Sequence, residues 1–148
     1  MGNKSNFSVK SAEESSGFLL WQVTTLRQRE IKKALEDVEL SHASFVILAS
    51  LLWFEEQNKE TTQTTIINHT KLDKMTVSKN LKSLVSKGFV KRFENENDTR
   101  AKTIILEIQG KEMAIKAVKI VEKIDKDFFE KLQKEEKSQL NQLFTKLI

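Results

Sequence analysis

The stretch "LDKMTVSKNLKSLVSKGFVKRFENENDTRAKTIILEIQGKEM", residues 72–113, decides the fold of this chain. Its first part has apolar residues at helical spacing, and its second part changes to runs of β-branched and aromatic residues. Gly88 lies between the two parts, at a position where helices commonly end in a left-handed conformation. The stretch therefore predicts a helix over residues 73–87, followed by a hairpin of two strands.

The predicted helix 73–87 has one apolar face, formed by Val77, Leu81 and Leu84. No carboxylate follows Asp73 within the helix. The remaining faces carry hydroxyl, amide and ammonium groups, and these belong to Lys74, Thr76, Ser78, Lys79, Asn80, Lys82 and Ser83. Such faces suit the wall of a DNA groove, although a lysine-rich face that only meets solvent is the plain alternative.

The predicted hairpin pairs "FVKRFE", residues 89–94, with "TIILEI", residues 103–108. The polar segment "NENDTRAK" between them forms an extended tip. Arg100 at this tip can enter a minor groove while the carboxylate of Asp98 orients its guanidinium group. The alternative for these two residues is an exposed ion pair of little energetic value.

The flanking sequence is predominantly helical. We predict a long helix over residues 15–36, a central helix over 42–57 with Ser41 as its N-cap, and a short helix over 64–69. A helix opening at Gly110 and a last apolar helix complete the chain. The fold class is therefore mainly α with a small β-hairpin (α+β): a short helix, a tight turn, a polar-faced helix and a hairpin, which is a winged helix-turn-helix. Residues 1–14 are expected to form a flexible arm.

Composition excludes several classes of protein. The chain has 148 residues, of which 39% are hydrophobic and 31% charged, and it contains no proline and no cysteine. Disulfides, thiol redox sensing and cysteine-ligated metals are therefore excluded. The polar N-terminus does not resemble a signal peptide, and the longest apolar run, residues 45–54, is too short to span a bilayer. We expect a cytoplasmic protein without a membrane partner.

Charge is concentrated around the predicted helix-turn-helix. Residues 64–102 contain nine basic and four acidic residues, a net charge of +5, whereas the whole chain carries +4. The rest of the chain is therefore close to neutral, at −1. A local basic surface of this kind predicts binding to a polyanion such as DNA.

The second helix of a helix-turn-helix reads the major groove, and its N-terminal residues reach base edges. The predicted DNA-binding residues of this helix are Lys74, Met75, Thr76, Ser78, Lys79 and Lys82. Those of the wing are Asp98, Arg100 and Lys102. The partner expected from this arrangement is double-stranded DNA.

The quoted stretch resembles the winged-helix core of MarR-family transcriptional regulators. The resemblance rests on "TVSK" in the helix, on Leu81, Leu84, Gly88, Val90 and Arg92 after it, and on a wing pattern. That pattern comprises Asp98, Arg100, Lys102, Leu106, Ile108 and Gly110. The flanking helices fit as well, so the resemblance covers nearly the whole chain.

The resemblance implies a homodimer that binds a pseudo-palindromic operator, often as a repressor. It implies dimerisation helices in residues 15–40 and 111–148 around a DNA-binding lobe of residues 41–110, all in one intertwined domain. The apolar "LNQLFTKLI" at the chain end needs a surface to bury against, and a partner subunit or the chain itself could supply it.

The resemblance also implies that a small molecule, often aromatic, can bind between the dimer helices and the DNA-binding lobe. Trp21, Arg27, His42 and Phe45 are candidates for such a pocket, although aromatic residues at these spacings are more often core. Two branches of the family sense zinc or peroxides. Two histidines far apart rarely complete a zinc site, and the chain has no thiol, so we expect no metal and no cofactor.

Two other functions compete with this interpretation. An enzyme is not expected, because the sequence has no phosphate-binding glycine loop, no histidine near a nucleophile and no metal-ligand cluster. A winged-helix module for protein–protein interaction would not need Arg100 or the lysines. Salt dependence distinguishes it from a DNA binder, whose affinity falls with a log–log slope of about 0.9 per phosphate contact.

Overall fold

The computed structural model describes residue 2, residues 4–98 and residues 100–148. The predicted arm at residues 1–14 and the predicted hairpin tip thus each include positions outside the described residues. The elements in chain order are α1 (Ser16–Leu35), α2 (His42–Glu56), α3 (Gln63–Thr70), α4 (Lys74–Ser86), β1 (Val90–Glu94), β2 (Lys102–Leu106), α5 (Ile108–Phe129) and α6 (Lys134–Thr145). Single 3₁₀ turns precede and follow α1. This arrangement confirms the predicted fold class, a mainly helical chain with one antiparallel hairpin.

Helix α2 is the centre of the core. It packs against α1, α3, α4, α5 and β2, and Ile47 and Leu48 on it are fully buried. The hydroxyl of the buried Ser50 donates to the carbonyl of Val46 at 2.7 Å, so this polar group is satisfied inside the core. The prediction of a central buried helix is confirmed.

Polar residues fix where α2, α3 and α4 begin. The side-chain oxygens of Ser41, Thr62 and Asp73 each accept a hydrogen bond from the backbone N–H three residues later, which caps α2, α3 and α4. Lys71, with φ 63°, ends α3 in the left-handed conformation, and Gly88, with φ 74°, follows α4 in the same conformation. The turn between α3 and α4 is therefore only three residues long.

The predicted end of the second strand, residue 108, and the predicted start of the next helix, residue 110, were each wrong by two residues. Val90 opens β1 and pairs with Leu106, so no partner strand remains for Ile108. Glu107 instead turns the chain, and its N–H donates to the carbonyl of Phe89 at 2.9 Å. Helix α5 consequently begins at Ile108, and Gly110 lies in its first turn.

Two helices leave much of their apolar surface exposed. No residue of α6 is buried. The exposed large apolar side chains of α1, α6 and the residues after α6 are Phe18, Leu19, Leu20, Trp21, Val23, Leu26, Leu143, Phe144, Leu147 and Ile148. Contiguous apolar surface of this kind commonly marks an interaction site.

Among the described residues, no single helix is long and apolar enough to cross a membrane. The segments 16–38 and 42–56 are long and apolar enough only when taken together, and the chain bends by 78° between them. A buried core helix such as α2 has the same apolar composition.

Candidate nucleic-acid interface

Helix α4 packs against the core through one narrow apolar face. Val77, Leu81 and Leu84 on that face are fully buried, as the sequence predicted. A helix turns about 100° per residue, so the direction opposite this face is occupied by Met75, Lys79 and Lys82. These three side chains are exposed, and that of Met75 is 82% exposed. The side chains predicted to face DNA thus include the ones that the fold directs most squarely outward.

The other predicted residues of α4 lie on its flanks. Lys74 and Ser78 share one flank, and Lys74 is exposed whereas Ser78 is half-buried. Thr76 lies on the opposite flank, nearer to α2. The predicted set therefore forms one continuous surface around the first two turns of α4 rather than a scattered group.

Asp73 holds the start of α4 together through Thr76. Its Oδ1 accepts from the N–H of Thr76 at 2.8 Å, and its Oδ2 accepts from the Thr76 hydroxyl at 2.7 Å. The hydroxyl bond first, and then the N–H bond, lower the pKa of Asp73 below its ordinary value. The hydroxyl proton of Thr76 is thus used by the cap, and only its oxygen lone pairs remain for an external donor.

Asn80 fastens α4 to the beginning of α2, and sequence reasoning did not assign it this role. Its Oδ1 accepts from the hydroxyls of Ser41 at 3.1 Å and Ser44 at 2.9 Å. Its Nδ2 donates to the carbonyl of Thr76 at 2.7 Å. Since the Oδ1 bonds reach Ser41 and Ser44 while the Nδ2 bond holds the side chain against its own helix, Asn80 sets the rotation of α4 about its own axis relative to α2.

The wing residues Asp98, Arg100 and Lys102 are all exposed, at the end of the hairpin farthest from α4 and α5. The Oδ1 of Asp98 accepts from the backbone N–H of Arg100 at 3.0 Å, so the carboxylate stabilises the turn. Its contact with the guanidinium of a DNA-bound Arg100 stays a prediction. Lys102 Nζ lies 3.8 Å from Glu94 Oε1, which makes an exposed ion pair of little energetic value.

The residues predicted to line a ligand pocket are only partly brought together. His42 and Phe45 stack with ring centroids 6.5 Å apart, and burial followed by the charge of Arg27 lowers the pKa of His42. Arg27 forms a two-point ion pair with Asp125, at 2.7 and 3.1 Å. Trp21 lies about 9 Å from Arg27 along the axis of α1, and its side chain is 68% exposed.

The pairing of Arg27 with Asp125 joins α1 to α5 and could not be read from the sequence. The two residues are 98 positions apart, and neither lies in a motif. Within the described residues, no group of three or more His, Asp or Glu side chains is arranged to hold a metal ion.

Comparison with known proteins places this geometry among transcriptional regulators. Residues 36–125 match the family model described as "ArnR1-like, winged-helix domain". The chain is 38% identical over 122 residues to an uncharacterized HTH-type transcriptional regulator, YdcH, of Bacillus subtilis (strain 168). That alignment covers 82% of this chain and 83% of YdcH.

Several solved structures share the fold. A mutant of MarR from E. coli complexed with operator DNA gives a TM-score of 0.77 at 23% identity, covering 89% of this chain and 92% of that chain. The S. aureus MepR–DNA complex gives 0.80 at 22% identity, with 90% and 96% covered. Bordetella bronchiseptica BpsR, described with regulation of its DNA binding by 6-hydroxynicotinic acid, gives 0.82 at 20% identity, with 95% and 97% covered.

Proposed function

Since this chain belongs to the family of ArnR1-like winged-helix domains and shares its fold with MarR regulators, we propose that it is a DNA-binding regulator of the MarR family and acts as a homodimeric repressor. Two copies of α4 enter successive major grooves of a pseudo-palindromic operator. The two wings contact the flanking DNA backbone and minor grooves. A small molecule that binds between the dimer helices and the DNA-binding lobe releases the DNA.

The observation that carries the DNA contact is the surface of α4. Lys79 and Lys82 point away from the core, and Met75 between them offers an apolar contact for a thymine methyl group. Ser78 on the flank is short enough for its hydroxyl to approach a base edge. The lysines then meet phosphates on either side of the groove.

The proposal of a homodimer rests on the exposed apolar faces of α1 and α6. Helix α6 contributes no residue to the core of its own chain, and Leu147 and Ile148 beyond it are 78% and 85% exposed. A second copy can cover these side chains, because a two-fold interface places the same surface on both subunits. Dimerisation also supplies the second recognition helix that a palindromic site requires.

The proposed effector site lies where α1, α2 and α5 meet. His42 and Phe45 provide stacked rings, and the guanidinium of Arg27 supplies a positive charge close enough to lower the pKa of His42 further, after burial. An aromatic carboxylate would have to displace Asp125 from Arg27 to bind there. Because that ion pair joins α1 to α5, its replacement would change how the dimer helices hold the DNA-binding lobe.

The test is selection of DNA fragments bound by the full chain, followed by titration at several salt concentrations. An enriched inverted repeat and an affinity that falls steeply with salt are expected. Binding that hardly responds to salt, with no enriched sequence, would favour the alternative of a protein–protein interaction module.

A further inference from the structure

The base of the wing contains a compact hydrogen-bond network formed by Glu60, Asn95 and Thr103, which we call the wing anchor. Asn95 Nδ2 donates to Glu60 Oε1 and also to Thr103 Oγ1, the latter at 2.9 Å. The Thr103 hydroxyl donates in turn to Glu60 Oε1 at 3.1 Å. Asn95 and Thr103 are 8% and 4% exposed, whereas Glu60 reaches them from the exposed segment between α2 and α3.

The other end of the Asn95 amide holds the turn of the wing. Its Oδ1 accepts from the backbone N–H groups of Asn97 at 2.9 Å and Asp98 at 3.1 Å. Asp98 then accepts from the N–H of Arg100. A continuous series of hydrogen bonds thus runs from Glu60 through Asn95 and Asp98 to the backbone of Arg100. The wing contact in the proposed function places Arg100 against DNA.

The backbone attaches the same region to the lobe. The N–H of Ile104 donates to the carbonyl of Thr61 at 2.8 Å, and Thr62 forms an antiparallel bridge with Thr103. These contacts hold β2 near the start of α3, but none of them reaches the tip. Within the described residues, the backbone closes the turn by two bonds, from Asn95 N–H to the Ala101 carbonyl and from Ala101 N–H to the Asp98 carbonyl, each at 3.0 Å. The side chain of Asn95 connects the base of the wing to the N–H groups of residues 97 and 98.

We propose that Glu60, Asn95 and Thr103 are positioning residues that hold the wing tip in its DNA-contacting conformation before DNA arrives. The proposal rests on the wing contact of the proposed function. Its physical basis is preorganisation, because a tip that is already ordered does not lose conformational freedom when it binds. Without Glu60, the buried donors of Asn95 and Thr103 lose their shared acceptor, and the bond to Thr103 alone then holds the Asn95 amide at the base of the wing.

The sign of the effect distinguishes positioning from electrostatics. Glu60 carries a negative charge near a surface that meets phosphates, so electrostatics alone predicts that its removal strengthens DNA binding. Positioning predicts that E60A weakens it, while E60Q restores binding because a glutamine Oε1 accepts the same two hydrogen bonds. E96A is the matched control, since Glu96 is an exposed acid of the same hairpin outside the wing anchor.

The first measurement is amide hydrogen exchange in the DNA-free protein. In E60A the amides of Asn97 and Asp98 should exchange about tenfold faster, and in E60Q and E96A at the wild-type rate. Unchanged exchange in E60A would overturn the positioning role and leave the proposed function intact.

The second measurement is the affinity for a random-sequence DNA duplex in a double-mutant cycle with R100A. R100A alone should lower affinity on the order of tenfold, E60A by a comparable factor, and the double variant should bind like R100A. Losses that simply multiply would overturn the inference, because Arg100 would then act without the wing anchor. Wild-type affinity in R100A would overturn both the inference and the wing contact on which it rests.

Discussion

Among the four glycines of the chain, Gly110 is the one at which an added methyl group would have the least room. A Cβ placed on it would lie 1.9 Å from the carbonyl oxygen of Phe89, 2.6 Å from the carbonyl carbon and 2.9 Å from the Cα. All three atoms belong to the backbone, so no side chain can rotate to make room. Substitution of Gly110 by alanine must therefore move either α5 or the start of β1.

The size of the effect follows from that distance. Ordinary van der Waals contact begins near 3.4 Å, so the two backbones must separate by 1.5 Å, the difference between 3.4 and 1.9 Å. Such a displacement breaks the 2.9 Å hydrogen bond from Glu107 N–H to the Phe89 carbonyl. Overpacking costs about 1–3 kcal/mol and the lost hydrogen bond about 1 kcal/mol. G110A should therefore lower the free energy of unfolding by roughly 2–4 kcal/mol.

Urea unfolding followed by circular dichroism measures this loss, at one fixed protein concentration because association in the proposed homodimer would add to stability. G17A is the matched control, since a Cβ on Gly17 would have nothing within 4 Å and the residue lies in helix α1. It should leave stability unchanged or raise it by up to about 1 kcal/mol. If G110A stayed within about 0.5 kcal/mol of wild type with the same m value, the close approach of α5 to Phe89 would be refuted.

Three further predictions concern DNA, the dimer and pH. S78A should weaken binding to a selected operator by on the order of 1 kcal/mol or more, and equal binding in a competition gel shift would contradict the base contact. A chain ending at Gln133, which lacks α6, should sediment as a monomer where the full chain is dimeric; a truncated dimer would place the interface elsewhere. Because burial lowers the pKa of His42 from its ordinary 6.5, the imidazole of His42 binds a proton more readily in the unfolded chain than in the folded one. The free energy of unfolding should thus fall as pH drops below 6.5, and H42Q should flatten that dependence in urea unfolding; an identical pH dependence in H42Q would refute this role.

Local signals predicted most of the DNA-binding lobe. Asp73 as an N-cap, the apolar spacing of Val77, Leu81 and Leu84, and the glycine after them are all properties of neighbouring residues, so the bounds of α4 came out within a residue. The hairpin was predicted for the same reason. The end of its second strand, next to α5, was misplaced because strand length depends on the partner strand, and β1 starts only at Val90.

Contacts between distant residues could not be predicted in this way. In the sequence, Asn80 is one more polar residue on a polar helix face. Its role follows only from the fold, which brings the hydroxyls of Ser41 and Ser44 within hydrogen-bond distance of its Oδ1. Glu60 likewise reads as a solvated acid in a polar loop, and only the folded chain brings it to Asn95. In both cases the decisive feature is a buried polar group that needs a partner, and sequence spacing does not reveal the partner.

Helix α1 illustrates a different ambiguity, in which the pattern was read correctly but its meaning depends on the fold. Its apolar residues fall into two sets: Ile31 and Leu35 are fully buried against the chain's own core, whereas Leu20 and Leu26 are half exposed. A sequence cannot separate these sets, because burial against the same chain and burial against a second copy select the same side chains. An exposed apolar surface is costly in water, and that cost is largest here along α1 and α6. In the homodimer that we propose, the same hydrophobic effect that holds α2 in the centre of one chain pairs two chains, and this pairing fixes the distance between the two copies of α4.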